Sequence, residues 1–177
     1  SSDVCSSDLS KKASLLSALV LTMALFAGCS NEKENQKVAD IEVKTIATKE
    51  LQDKLSDDSW VVVDTRINDA FNGWKLDEVE RGGHIKGAVD FSANWLTVDS
   101  KDKEKTLDKA LETKGIEKDK NIVLYDANGK DAKEVANYLS EKGYKNLYTY
   151  NVADWAKDES LPMESYENYE MIVPAII

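Results

Sequence analysis

Short apolar runs and helical patterns follow one another along the middle of this chain. The run Trp60–Asp64 is continuously apolar up to its last residue, which is typical of a strand buried on both faces. Three more runs have the composition of strands, and helical patterns stand before or between them. Because strands that alternate with helices form a mostly parallel sheet, the pattern predicts an α/β domain. The further strands are predicted at Ala88–Phe91, Ile122–Tyr125 and Leu147–Tyr150.

The strongest helical pattern covers Asp131–Gly143. Its apolar residues recur at helical spacing, and Gly143 stands where helices commonly end. A shorter helix is predicted at Thr48–Leu55, with the Thr48 hydroxyl as its N-terminal cap. A modest helix is predicted around Leu107–Leu111.

Charge and composition exclude several classes of site. The chain has 33 acidic and 23 basic residues, which gives a net charge of −10. Its acids and lysines are interspersed, whereas a nucleic-acid interface needs clustered lysine and arginine, so no nucleic-acid partner is predicted. His84 is the only histidine. A histidine-based metal cluster is therefore excluded, and we predict no metal and no cofactor.

Two segments precede Cys29, and only the second, residues 10–28, has the pattern of an export leader. Residues 1–9 resemble a translated sequencing adapter and are interpreted as an artefact; the alternative is a genuine upstream extension. Residues 10–28 combine a basic pair with a mostly apolar stretch, Ala13–Phe26. That stretch suits a signal peptide and is shorter than the roughly 20 residues that cross a bilayer. Its end, Leu25-Phe-Ala-Gly-Cys29, resembles the bacterial lipobox, in which the cysteine becomes lipidated.

Lipidation of Cys29 predicts an exported bacterial lipoprotein that is anchored to a membrane on its extracytoplasmic side. The alternative is ordinary signal cleavage beside an incidental cysteine. Cleavage before Cys29 leaves no second cysteine, so no intrachain disulfide and no cysteine-based metal site can form. Residues 29–45 are polar at first and lack aromatic residues, and they are interpreted as a flexible tether.

Asp126 stands where a sulfur nucleophile would be expected. It follows the run Ile122–Tyr125 and opens a short loop, after which a helical pattern begins. Such a loop directs backbone N–H groups and the positive end of the helix at the side chain that opens it. A cysteine there would be held as a thiolate or persulfide, whereas an aspartate cannot carry sulfur. The loop consists of Asp126, Ala127, Asn128, Gly129, Lys130 and Asp131.

Several segments together resemble the rhodanese (thiosulfate sulfurtransferase) family. The strand end Asp64-Thr-Arg66 is similar to its Asp-x-Arg, and Gly83–Ala88 is similar to its Gly-His-Ile-x-Gly-Ala signature. The resemblance covers residues 46–162. It implies a rhodanese-like domain with a sheet of about five strands and helices on both faces. It also implies structural roles for the signature residues Asp64, Arg66, Gly83, His84 and Gly87.

Three departures from active members of that family bear on function. Asp126 replaces the nucleophilic cysteine, and Asp131 replaces an arginine that is common near the end of the loop. Because thiosulfate is a dianion, a second carboxylate should repel it. Asn151-Val152 replaces a Gly-Gly pair after the fourth strand. Aspartate at the nucleophile position is typical of the non-catalytic N-terminal half of tandem-domain rhodaneses, so the resemblance implies that this domain alone is inactive.

The resemblance also implies a partner. Residues 163–177 resemble the connector that leads to the second domain of tandem rhodaneses, so we expect a second rhodanese domain of the same full-length chain. In that scheme the catalytic cysteine lies beyond Ile177 and carries sulfur as a persulfide. The alternative is a non-enzymatic binding or scaffolding module at the cell envelope. Its acidic crevice, formed by the loops at 64–66 and 126–131, would recognise a protein or a cationic ligand.

Single residues leave alternatives open as well. For Asp126 we favour a carboxylate that stabilises its loop by accepting backbone N–H bonds. An aspartate-nucleophile phosphatase would need a second aspartate two residues on, where this chain has Asn128. For His84 we favour hydrogen bonds that fix its turn over a catalytic role. Asp64 and Arg66 are predicted to form a charge-assisted, at least half-buried pair. An exposed Trp74 would indicate a contact with a partner or another domain.

Overall fold

The computed structural model describes residues 42–171. The expected adapter segment, the signal peptide, Cys29 and the tether up to residue 41 lie outside the described residues, as does the connector from residue 172 onward. In chain order the elements are β1 (Lys44–Thr45), α1 (Thr48–Lys54), β2 (Trp60–Asp64), α2 (Asn68–Asn72), β3 (His84–Ile85), β4 (Val89–Asp90), α3 (Lys103–Thr113), β5 (Asn121–Asp126), α4 (Asp131–Glu141), β6 (Leu147–Asn151), α5 (Val152–Ala156) and β7 (Met163–Glu164), with 3₁₀ turns at Ala93–Thr97 and Tyr169–Met171.

The main sheet has five strands in the order β1-β6-β5-β2-β4, and every pairing in it is parallel. This confirms the predicted α/β class and the mostly parallel sheet. The central strands β2 and β5 pair in register over five residues, with Val62 opposite Val123 and Asp64 opposite Tyr125. Because both strands run in the same direction, Asp64 and Asp126 end at the same edge of the sheet.

Helices cover both faces of this sheet, as the fold class predicts. Alternate residues of β2 and β5 point to opposite faces, so Val63 and Leu124 belong to one core cluster and Val62 and Val123 to the other. Helices α3 and α4 pack into the first cluster, whereas α1 and α5 pack into the second. Burial on both faces explains why these strands are continuously apolar in sequence.

The predicted N-terminal cap of α1 is wrong. Ala47 occupies the cap position in an extended conformation and makes no side-chain hydrogen bond, while Thr48 is the first helical residue. The Thr48 hydroxyl instead lies 2.9 Å from the hydroxyl of Tyr150 on β6. The Thr48 hydroxyl, which the sequence predicted as the helix cap, therefore forms a tertiary hydrogen bond instead.

A second, two-stranded sheet pairs β3 antiparallel with β7. Gly83 lies at this junction with φ of +90°, and a Cβ there would lie 2.2 Å from the backbone oxygen of Glu164. Only glycine fits such a close approach of two backbones. The segment after β7 continues along the domain, since the Tyr166 N–H donates to the Asn72 carbonyl at 2.9 Å. The first residues of the expected connector are thus packed against the domain.

Trp74 is half-buried, and its contact comes from the same chain. The ring of Tyr169 meets the Trp74 ring edge-to-face at a centroid distance of 5.7 Å. Tyr169 also lies against Gly73, where a Cβ would approach the tyrosine ring to 2.4 Å. The segment that follows β7 therefore covers the tryptophan that we considered as a partner contact.

Candidate functional site

The candidate site is the loop that joins β5 to α4. Asp126 is the last residue of β5 and is only 1% exposed, although it opens a loop at the edge of the sheet. Asn128, Gly129 and Lys130 are exposed, and α4 begins at Asp131. The sheet thus presents the loop to solvent while it buries the side chain at position 126.

Both carboxylate oxygens of Asp126 accept backbone hydrogen bonds from the loop. The Gly129 N–H donates to Oδ1 at 2.8 Å, and the Ala132 N–H donates to Oδ2 at 2.9 Å. Gly129 has φ of +75°, a left-handed conformation that lets the loop turn back toward Asp126. The amides thus converge on the position of the expected nucleophile, and they hold a carboxylate in the loop-stabilising geometry that the sequence favoured.

This geometry leaves no unengaged oxygen on Asp126. A phosphatase-type aspartate needs a free oxygen for attack on phosphorus, and both oxygens here already accept N–H bonds. The side chain two residues on is Asn128, whose Oδ1 accepts the Lys130 N–H at 2.9 Å. The loop geometry therefore does not support aspartate-based phosphoryl transfer. Within residues 42–171, no group of three or more His, Cys, Asp or Glu side chains is placed to hold a metal ion.

Asp131, the second acid of the loop, is electrostatically coupled to the first. Partial burial raises the pKa of Asp131, and the neighbouring charge of Asp126 raises it further, while Lys130 opposes this shift. The ionised form of Asp131 is thus disfavoured in the folded chain.

Asp64 and Arg66 form the predicted buried ion pair next to the loop. The Arg66 Nε donates to Oδ1 of Asp64 at 2.9 Å and Nη2 donates to Oδ2 at 2.6 Å, so the pair is bidentate. Both side chains are almost fully buried. Burial alone would lower the pKa of Arg66, but the hydrogen bond and the charge of Asp64 outweigh this and raise it. The guanidinium therefore stays charged and acts as a structural group.

The pair ties the end of β2 to the glycine-rich turn. Nη2 of Arg66 also donates to the Gly83 carbonyl at 2.7 Å. The Arg66 guanidinium lies over the ring of Tyr125, with its carbon 5.5 Å from the ring centroid. The Tyr125 hydroxyl accepts the Ile85 N–H at 3.1 Å, and Tyr125 directly precedes Asp126. One buried network thus connects the two signature segments with the loop.

His84 fixes the same turn. Its Nδ1 lies 2.8 Å from the Phe71 carbonyl, and its ring stacks on the Phe71 ring at 3.8 Å. Because a carbonyl can only accept, Nδ1 carries the proton. Nε2 lies 4.0 Å from a carboxylate oxygen of Glu164. Gly87 has φ of +78° and ends the turn. These contacts agree with the structural role that we favoured for His84.

A cleft of about 510 Å³ opens beside the Asp126 loop. Its walls come from β1, the end of β6, the loop, and the first two turns of α4. The acidic crevice expected from sequence would be formed by the loops at 64–66 and 126–131, whereas this cleft takes its lining from the second of these loops only. Among the described residues of the lining, Asp126 is the only acidic one. The residues that sequence reasoning missed in the lining are Val43, Thr45, Ala132, Lys133, Ala136, Asn137, Thr149 and Tyr150.

The sequence model of the Rhodanese-like domain matches residues 47–156. The chain belongs to the rhodanese family. The matched range includes the Asp64–Arg66 strand end, the glycine-rich turn and the loop at Asp126.

Among residues 42–171, no helix is long and apolar enough to span a lipid bilayer.

Solved structures of a larger protein resemble this rhodanese domain. The wild-type structure of EanB is 31% identical, with a TM-score of 0.68, over 76% of this chain and 30% of that chain. The anaerobic ergothioneine biosynthesis enzyme from Chlorobium limicola, in complex with trimethyl histidine, is 31% identical with a TM-score of 0.67, over 75% of this chain and 30% of that chain. A third structure holds ergothioneine covalently linked with a cysteine persulfide of EanB, with the same identity and coverages of 75% and 30%. The chain therefore spans about a third of the length of these proteins.

Proposed function

We propose that this chain is the non-catalytic rhodanese domain of a larger thiosulfate sulfurtransferase. The observation that carries this proposal is Asp126, which occupies the nucleophile position with both oxygens engaged by loop amides. In the proposed full-length protein, a cysteine of a second rhodanese domain performs the transfer. This domain holds the catalytic half in place and forms one wall of the cleft between them.

The chemistry of sulfur transfer explains why the domain needs such a partner. A thiolate attacks the outer sulfur of thiosulfate, a new S–S bond forms, and the old S–S bond breaks as sulfite leaves. The resulting persulfide then passes its outer sulfur to a thiophilic acceptor such as cyanide, which becomes thiocyanate. A carboxylate cannot form a persulfide. Asp131 also places a second carboxylate where a dianionic donor would approach.

The comparison with EanB supports a larger protein. The chain is similar to less than a third of EanB, in which a cysteine persulfide has been observed. We infer that the full-length protein carries sulfur on a cysteine outside this domain, because position 126 is an aspartate. Sequencing the locus past codon 177 tests this: a further domain with a cysteine-headed loop is expected. A stop codon at that point would contradict it and favour the binding module instead.

The purified chain is expected to produce no thiocyanate from thiosulfate and cyanide. The matched variant is Asp126→Cys combined with Asp131→Arg, which restores both family residues next to the same loop amides. We expect this variant to take up sulfur from thiosulfate and to release it to cyanide. The measurement is colorimetric thiocyanate formation, with a catalytic rhodanese as the positive control.

Either of two results would contradict this account. Turnover by the unmodified chain would show that the domain is catalytic without a cysteine at position 126. Failure of the double variant to take up sulfur, while its far-UV circular dichroism matches that of the unmodified chain, would show that residues 126 and 131 alone do not account for the inactivity.

We also propose that the protein is an exported lipoprotein, held at the membrane by an acyl group on Cys29. The support is the basic, apolar and small-residue pattern of residues 10–28. Expression in a bacterial host with labelled palmitate is expected to label the chain, and Cys29→Ser to abolish the label. Cys5→Ser is the control and should keep it, because Cys5 lies upstream of the cleavage point. Equal labelling of the Cys29→Ser variant would exclude this anchor.

A further inference from the structure

The cleft beside the loop is built from hydrogen-bond donors on an apolar floor. Its floor and walls include Val43, Ala127, Ala132 and Ala136. A volume of about 510 Å³ lies in the usual range of small-molecule sites, roughly 300–1,000 Å³. Such sites combine apolar walls with a few polar groups that fix the orientation of the ligand. The polar groups of this cleft therefore indicate which ligand it takes.

Two asparagine side chains of the lining have a fixed orientation. Oδ1 of Asn128 accepts the Lys130 N–H, and Oδ1 of Asn151 accepts the Ala153 N–H, each at 2.9 Å. Because a backbone N–H can only donate, the contacting atom must be the oxygen of each amide. The Nδ2 donors of both side chains have no acceptor within residues 42–171. Each amide thus offers donors from a held position.

Helix α4 adds a cation and a third amide. Lys133 and Asn137 are exposed, line the cleft, and stand four residues apart, which places them on one face of the helix. In the described part of the chain, neither side chain has a hydrogen bond or an ion pair. The acceptor oxygens of Asp126, the one acid in the lining, are already engaged. The open side-chain groups are therefore the charged donor of Lys133, the two held amide donors, and the Asn137 amide and Thr45 hydroxyl, which can both donate and accept.

We propose that this cleft binds a small organic carboxylate with an apolar body. The carboxylate would accept hydrogen bonds from Lys133 and from the amides of Asn128, Asn137 and Asn151. The apolar body would lie against the alanines and Val43. This inference does not depend on the sulfurtransferase assignment, since it uses none of the chemistry at position 126. It assigns to the domain a binding function that the missing nucleophile does not affect.

Sodium benzoate is a suitable probe, and benzamide is its uncharged counterpart. In ¹H–¹⁵N correlation spectra of the isotope-labelled full chain, benzoate is expected to shift the backbone resonances of Ala132, Lys133 and Asn137 in a saturable manner. Lys133→Met should weaken benzoate binding about tenfold, because it removes the one charged donor. Lys109→Met is the matched control: Lys109 is an exposed helical lysine on α3 outside the cleft lining, and its loss should leave the affinity unchanged.

The proposal fails on any of three results. The absence of a saturable shift with benzoate would show that the cleft has no such site. Equal affinity for benzamide would show that the carboxylate is not recognised. If Lys133→Met and Lys109→Met weakened benzoate binding equally, the effect would come from the overall charge of the chain and not from the cleft. None of these results bears on thiocyanate formation, so the two proposals stand or fall separately.

Discussion

Asp64→Ala is expected to lower the free energy of unfolding by about 3–5 kcal/mol, because it leaves a buried guanidinium without its carboxylate. Both side chains of the pair are almost fully buried, so water cannot replace the lost acceptor. Arg66 would keep only its hydrogen bond to the Gly83 carbonyl. Urea denaturation followed by circular dichroism at neutral pH measures this change.

Asp53→Ala is the matched control, because Asp53 pairs with Lys49 in an exposed i,i+4 ion pair on α1. Its loss should change stability by about 0.5 kcal/mol or less. The double variant Asp64→Leu with Arg66→Met should recover part of the loss, since no buried charge then remains. A loss below about 1 kcal/mol for Asp64→Ala would contradict the inference that this pair is the buried tie between β2 and the glycine-rich turn.

Asp126→Ala is expected to lower the free energy of unfolding by about 2–4 kcal/mol, because two backbone N–H groups lose a charged acceptor. Ala132 is buried, so its N–H would remain unsatisfied, whereas the exposed Gly129 can bond to water. Asp126→Asn should cost less, since one amide oxygen remains to accept a single N–H. The same denaturation experiment separates these variants.

Asp131→Asn provides the comparison within the same loop. The pKa of Asp131 is raised in the folded chain, so its ionised form contributes nothing favourable to stability at pH 7. This substitution should therefore leave the free energy of unfolding within about 0.5 kcal/mol of the unmodified value, or raise it. Should Asp126→Ala prove as mild as Asp131→Asn, the carboxylate at position 126 would not be what holds the loop.

Part of this architecture could be predicted from local patterns. The continuous apolar run at Trp60–Asp64 predicts a strand buried on both faces, and the five-stranded parallel sheet confirms it. The helical pattern that opens at Asp131 corresponds to α4. These predictions succeed because burial of a strand on both faces leaves a continuous apolar run, and burial of one helix face leaves apolar residues at helical spacing.

Other elements have no such signature. β1 consists of two exposed residues, so only its parallel pairing with β6 makes it a strand. β3 and β7 are equally short, and their pairing depends on the close approach at Gly83. Thr48 has the residue type of a cap, but a hydroxyl 102 residues away along the chain takes its hydrogen bond. Contacts between distant segments outweigh local preference at each of these places.

The sequence by itself determined the family and the aspartate at position 126. The side chain at position 126 is fixed by the covalent sequence, and a carboxylate cannot carry sulfur in any fold. The structure alone decided how that carboxylate is used, and it formed a cleft beside the loop in which Asp126 is the only acidic residue among the described lining residues. The physical reason is that the charge lining a cleft depends on which side chains point into it. For this cleft, the lining side chains come from β1, β6 and α4, which are far apart in sequence and meet only in the folded chain.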